Sequence, residues 1–161
     1  MDVTVDSLML EPGITVDVHR TAAAAHRLLH GQATEADFHR AGLTGALLPD
    51  WYDEWVLLER EQLQQLCLHA LETMAEQLSG RGHHGEAVAA ALAAVAGEPL
   101  RESAHRTLAA AYLAEGNVAA AARQFQRYER LADRELGVAP SPLFRRLFAA
   151  LPLNLDAGPL T

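Results

Sequence analysis

Four arginines stand out for the chemistry they could do. Arg123, Arg127, Arg130 and Arg134 are spaced four, three and four residues apart, so on a helix they share one face. Ala121, Phe125, Tyr128 and Ala132 repeat that spacing two residues earlier. Two residues are about 200° of helix turn, which puts the arginines opposite an apolar face. A row of guanidinium groups of this kind suits an acidic protein surface. Phosphate is a poorer match, because the chain carries a net charge of −8. The plainer reading is a solvated face salted with Glu129 and Asp133. The histidines offer a second chemistry. His19, His26 and His30 fall on one helical face, whereas His39 and the pair His83-His84 lie elsewhere. A His-x3-His pair can hold a metal, but no cysteine or carboxylate pair completes a ligand set. They read as surface histidines, with a metal- or proton-sensing role the sharper alternative. Cys67 is the single cysteine. It can form no internal disulfide and reads as a buried, inert thiol. No G-x-S-x-G, P-loop, H-E-x-x-H or glycine fingerprint after a strand occurs. We therefore expect no enzyme, no cofactor and no metal.

The elements that must position these residues follow from an internal repeat. Displaced by 34 residues, the segment Trp51–Leu136 matches its own apolar register. Ala75 falls on Ala109, Leu78 on Tyr112, Gly82 on Gly116, Ala87 on Ala121 and Ala91 on Phe125. This period is that of the tetratricopeptide repeat, in which pairs of antiparallel helices stack. We expect an all-α fold, a tetratricopeptide-like stack of about six or seven helices with a short extended N-terminal arm. The first helices of the two repeats would line an inner groove, offering His69, Glu72 and Glu76, then Ser103 and Arg106. Such a groove could take a peptide, or be filled by flanking helices or a second subunit.

Along the chain, residues 1–16 read as an extended arm, a frayed or single strand with no partner in view. Asp17–His30 reads as a helix capped by Asp17 and ended by Gly31, with Val18, Ala22, Ala25 and Leu29 as its buried stripe. Thr34 caps a short helix to Ala41, with Asp37 where a capping-box acid would stand. Pro49-Asp50 opens the longest helix, from about Tyr52 to Ser79. In it, Trp51 and Trp55 can pack as a pair and are expected in the core, with an exposed anchor the alternative, and the stripe continues through Leu58, Gln62, Leu66, Leu71, Met74 and Leu78. Helices over Gly85–Ala96 and Arg101–Glu115 follow, then Val118–Leu136 capped by Asn117 and ended by Gly137. Ser141-Pro142 starts a last helix to Leu151. Residues 17–151 form the helical domain, closed at its ends by the Asp17–Ala41 and Pro142–Leu151 helices. Residues 152–161 read as a flexible tail.

Half of the 161 residues are hydrophobic and 21% are charged, as in a soluble globular domain. No apolar run approaches the roughly 20 residues of a membrane span, and the acidic N-terminus lacks the features of a secretory signal. A cytoplasmic protein without membrane contact is expected. Charge is uneven. Residues 1–100 hold five arginines against fifteen acids, whereas residues 101–146 hold eight against five. An acidic front and a basic back can favour partner contacts.

Several strings resemble one family: LLPDWYDEWVLLEREQL, HALETMAEQL, EPLRESAHR (Glu98–Arg106), AEGN (Ala114–Asn117) and ELGVAPSP (Glu135–Pro142). Together they are similar to the bacterial transcriptional activator domain, the helical half of SARP-type antibiotic regulatory proteins. The resemblance spans roughly Val16–Leu151. Thr21 and Ala22 stand where the family usually carries a large hydrophobic residue. The resemblance implies a module for dimer formation and for contact with RNA polymerase. It also implies DNA binding only through a winged-helix domain, for which these residues contain no recognition helix. Val3–Leu10 could be a trace of the strand leading from such a domain. On this reading the four arginines are the candidates for a polar partner contact. The alternative is a free-standing helical-repeat adaptor binding a peptide in the groove.

Overall fold

A computed structural model of the chain describes residues 2–4, 7–9, 15–38, 41–45 and 47–149. The expected tail, residues 152–161, and His39 lie outside the described residues. The fold is helical, as expected. Its centre is four helices: α3 (Glu54–Gly80), α4 (His84–Gly97), α5 (Glu102–Ala114) and α6 (Val118–Leu136). Three-residue turns join α3 to α4 and α5 to α6, so each pair folds back on itself.

The 34-residue register is visible atom by atom. Ala75 and Ala109 are fully buried, as are Ala87 and Ala121. Gly82 and Gly116 hold φ of +80° and +85°, a left-handed conformation that a side chain would strain. Around them the same bonds recur. The His83 N–H donates to the Leu78 carbonyl at 2.9 Å, and Asn117 N–H to Tyr112 at 2.8 Å. Both are the backbone clasp that ends a helix on a glycine. On α4, the buried Ala87, Ala90, Ala91 and Ala94 let neighbouring helices approach closely.

Flanking helices close the stack. α1 (Asp17–Leu29) packs on α3, and Gln77 Nε2 donates to the Leu28 carbonyl at the end of α1 at 3.1 Å. α2 (Glu35–Phe38) is fixed by Asp37, which accepts Thr34 N–H at 2.9 Å and the Thr34 hydroxyl at 2.7 Å. Asp37 thus supplies the acidic half of a capping box, while its own N–H bonds the Thr34 carbonyl at 2.9 Å rather than the hydroxyl. Asp37 also receives both arms of Arg27, with Nε at 3.0 Å and Nη2 at 2.5 Å. These bonds hold its fully buried carboxyl far below the usual carboxylate range. At the other end, α7 (Pro142–Arg146) is capped by Ser141. It inserts Phe144 and, just past its end, Phe148 against Phe125 at centroid distances of 5.0 and 5.4 Å, edge to face. The core therefore has two parts: a Leu/Ala part shared by α1, α3, α4 and α5, and an aromatic part between α5, α6 and α7.

Several local expectations are corrected. Asp2–Thr4 pairs antiparallel with Ser7–Met9, so the described part of the arm is two paired strands rather than a lone strand. Val16, not Asp17, is the N-cap of α1, and its buried residues are Ala24, Ala25 and Leu28, whereas Leu29 is exposed. On α3 the buried row starts at Val56 and passes through Cys67, leaving Leu58 and Gln62 exposed. Trp51 and Trp55 are 52% and 58% exposed rather than in the core. The α4–α5 junction meets α3 further along, at Gln64, Gln65, Leu68 and Glu72. The last helix ends at Arg146 and continues as a turn through Ala149.

Candidate protein-contact surface

α6 presents the arginine row. Asn117 Oδ1 accepts the Ala120 N–H at 3.1 Å and starts the helix, and Gly137 ends it at φ +68°. Ala121, Phe125, Tyr128 and Ala132 are buried against α5 and α7. Arg123, Arg127, Arg130 and Arg134 are all exposed on the opposite side. Arg134 Nε donates to its neighbour Glu135 at 2.8 Å, a surface contact of small energy. Among the described residues Arg123, Arg127 and Arg130 make no ion pair. Neither Glu129 nor Asp133 comes within ion-pair distance of the row. Leu136 at the end of α6, Val138 just past it and Leu143 on α7 are exposed apolar residues. Sequence reasoning passed over them because their spacing carries no helical period.

The groove residues divide. Glu72 Oε1 accepts Arg101 Nε and the Ser103 hydroxyl, each at 2.7 Å, and Arg101 Nη1 donates to Gln65 Oε1 at 2.7 Å. Glu72 and Ser103 are therefore partners of each other and tie α3 to α5. Arg106 faces Glu102 on its own helix at 3.7 Å. His69 and Glu76 remain exposed. No single cluster gathers the five.

A network that sequence reasoning missed lies behind the arginine face. Glu102 Oε2 accepts the Ser141 N–H at 2.8 Å, and Glu102 Oε1 accepts the Ser141 hydroxyl. The buried His105 stands between Pro99 and Gln124. Its Nε2 donates to the Pro99 carbonyl at 2.8 Å, and Gln124 Nε2 donates to its Nδ1 at 2.6 Å. The ring also lies 4.7 Å from that of Tyr128. Burial lowers the His105 pKa, and Arg127 nearby adds to the effect. Burial raises the Tyr128 phenol. The motif strings EPLRESAHR, AEGN and ELGVAPSP thus supply joints of the fold that carries the surface: Glu102 to Ser141, His105 to Pro99, and the Gly116-Asn117 turn.

The histidines of α1 are exposed, with His26 and His30 rings 6.3 Å apart. Among the described residues no group of three His, Cys, Asp or Glu side chains could hold a metal ion, and no helix is long and apolar enough to cross a membrane. Cys67 is buried, with its thiol pKa raised by that burial.

Neither a curated protein nor a solved structure matches the chain. The model of one family, the bacterial transcriptional activator domain, matches residues 13–151. With the repeat, its closing helices and the motif joints in place over that same span, the chain belongs to the bacterial transcriptional activator domain family.

Proposed function

We propose that this transcription-activator module is the regulatory, self-associating part of a SARP-type regulator and works by protein–protein contact rather than catalysis. The supporting observation is the row Arg123, Arg127, Arg130 and Arg134. It is exposed, opposite the buried face of α6, and has no acidic partner for its first three members. A row of guanidinium groups on one helix face, three of the four without an ion pair, favours an acidic protein surface. The partners we assign are a second copy of the chain and RNA polymerase. DNA contact is assigned to a winged-helix domain and not to this helical module, and the setting is the cytoplasm.

Sedimentation together with co-purification tests the reading. The chain is expected to sediment as a dimer and to retain RNA polymerase. A strict monomer that retains no polymerase subunit contradicts it.

A further inference from the structure

The arginine row makes no use of a cavity of about 350 Å³ between the 3₁₀ turn (Ala41–Thr44), α3 and α4. That is at the small end of ligand sites, roughly 300–1,000 Å³. Its walls are mainly apolar: Leu43, Leu63, Leu68, Leu71 and Ala93, with the Cys67 thiol among them. Along α3 the lining begins with Arg60 and Gln64 and becomes apolar towards Leu71. Gln64 Nε2 is taken up by the Gly97 carbonyl at 3.0 Å.

Arg60 is the unusual member. Its Nε donates to the Leu47 carbonyl at 2.8 Å, and its Nη2 donates to the Trp51 carbonyl at 2.9 Å and to that of Leu48. All three acceptors are neutral. Among the described residues Arg60 has no carboxylate partner, and its Nη1 has no hydrogen bond. A half-buried guanidinium at the edge of an apolar cavity, with its charge unmatched, favours an anion there.

We propose that this cavity binds a small apolar carboxylate, its hydrocarbon body against Leu63, Cys67 and Ala93 and its carboxylate on Arg60. The site is separate from the arginine row, so it stands or falls independently of the partner reading. A bound carboxylate would draw on the same guanidinium that holds the loop carbonyls of Leu47, Leu48 and Trp51.

Decanoate, kept below its micelle concentration, is the probe, with decanol as the uncharged control. Calorimetry on the full chain gives the affinity. Alkylation of Cys67, the single cysteine, reports the location. At ten times its Kd, decanoate is expected to slow that alkylation about tenfold. Ala93→Leu, which fills the cavity, is expected to abolish binding. Arg60→Gln is expected to weaken decanoate at least tenfold while leaving decanol unchanged. Should Arg60→Gln fail to fold, the Ala93→Leu and decanol arms decide. The proposal is overturned if decanoate neither binds nor slows alkylation, if decanol binds as tightly as decanoate, or if Ala93→Leu binds like the parent.

Discussion

Glu102, in the first turn of α5, holds Ser141, the residue that caps α7 from 39 positions away, through both its N–H, at 2.8 Å, and its hydroxyl. One carboxylate thereby fixes where the last helix begins and seats Phe144 on Phe125. Glu102→Ala leaves the Ser141 N–H without that acceptor and should cost about 1–3 kcal/mol. Urea unfolding checks this. Glu102→Gln, which can still accept one bond, should cost less, and a cycle with Ser141→Ala should show strong coupling.

A second link crosses the groove. Glu72→Ala removes the shared acceptor of Arg101 and Ser103 and should destabilise the chain by about 2 kcal/mol. Glu76→Ala, at an exposed position, should change stability by less than about 0.5 kcal/mol. Thermal melts of both variants check the contrast. If the two are alike, Glu72 does not join the repeats.

The repeat makes a matched prediction. Gly82 and Gly116 hold the same left-handed conformation, and at either one an added Cβ meets nothing within 4 Å. Only backbone strain then opposes a side chain. Gly82→Ala and Gly116→Ala should each lower stability by about 1–2 kcal/mol, and by similar amounts when compared by chemical denaturation.

Acid should loosen the molecule in two stages. The His105 pKa is lowered in the fold from its ordinary value of 6.5. The unfolded chain therefore takes up the proton first, so stability is complete above about pH 6.5 and declines as pH falls below it. Asp37 is also lowered, from an ordinary 3.8. Its contribution is present above that value and is lost as pH falls further. Melting temperatures across pH 3–8 should show both, and the upper decline should shrink in His105→Gln. NMR should find the His105 proton on Nε2 at neutral pH.

How much of this was legible in the sequence depended on distance along the chain. The caps at Asn117 and Ser141 and the glycines at 82 and 116 were readable because each acts within a few residues of itself. The buried face of α6 was readable because that helix has a single apolar row. The first half of α3 misled. Leu58 and Gln62 continue a helical spacing but are exposed, and Val56 is the residue that turns inward; the α4–α5 junction meets α3 further along, from Gln64. Glu102–Ser141, Arg27–Asp37 and Glu72–Arg101 had no local trace, because each joins elements brought together only by stacking. Of the candidate surface, the exposure of the arginine row on one face of α6 was readable in advance. The engagement of Glu72 with Ser103, and the unmatched charge of Arg60, needed the packed helices.

The contact role of the α6 arginines is the central claim, and the affinity of the chain for purified RNA polymerase tests it most directly. Arg127→Glu, Arg130→Glu and Arg134→Glu combined should weaken that affinity about tenfold or more at physiological salt, with the helical fold retained by circular dichroism. The parent affinity should itself fall as salt is raised. Equal affinity of parent and variant, with no dependence on salt, would contradict the account.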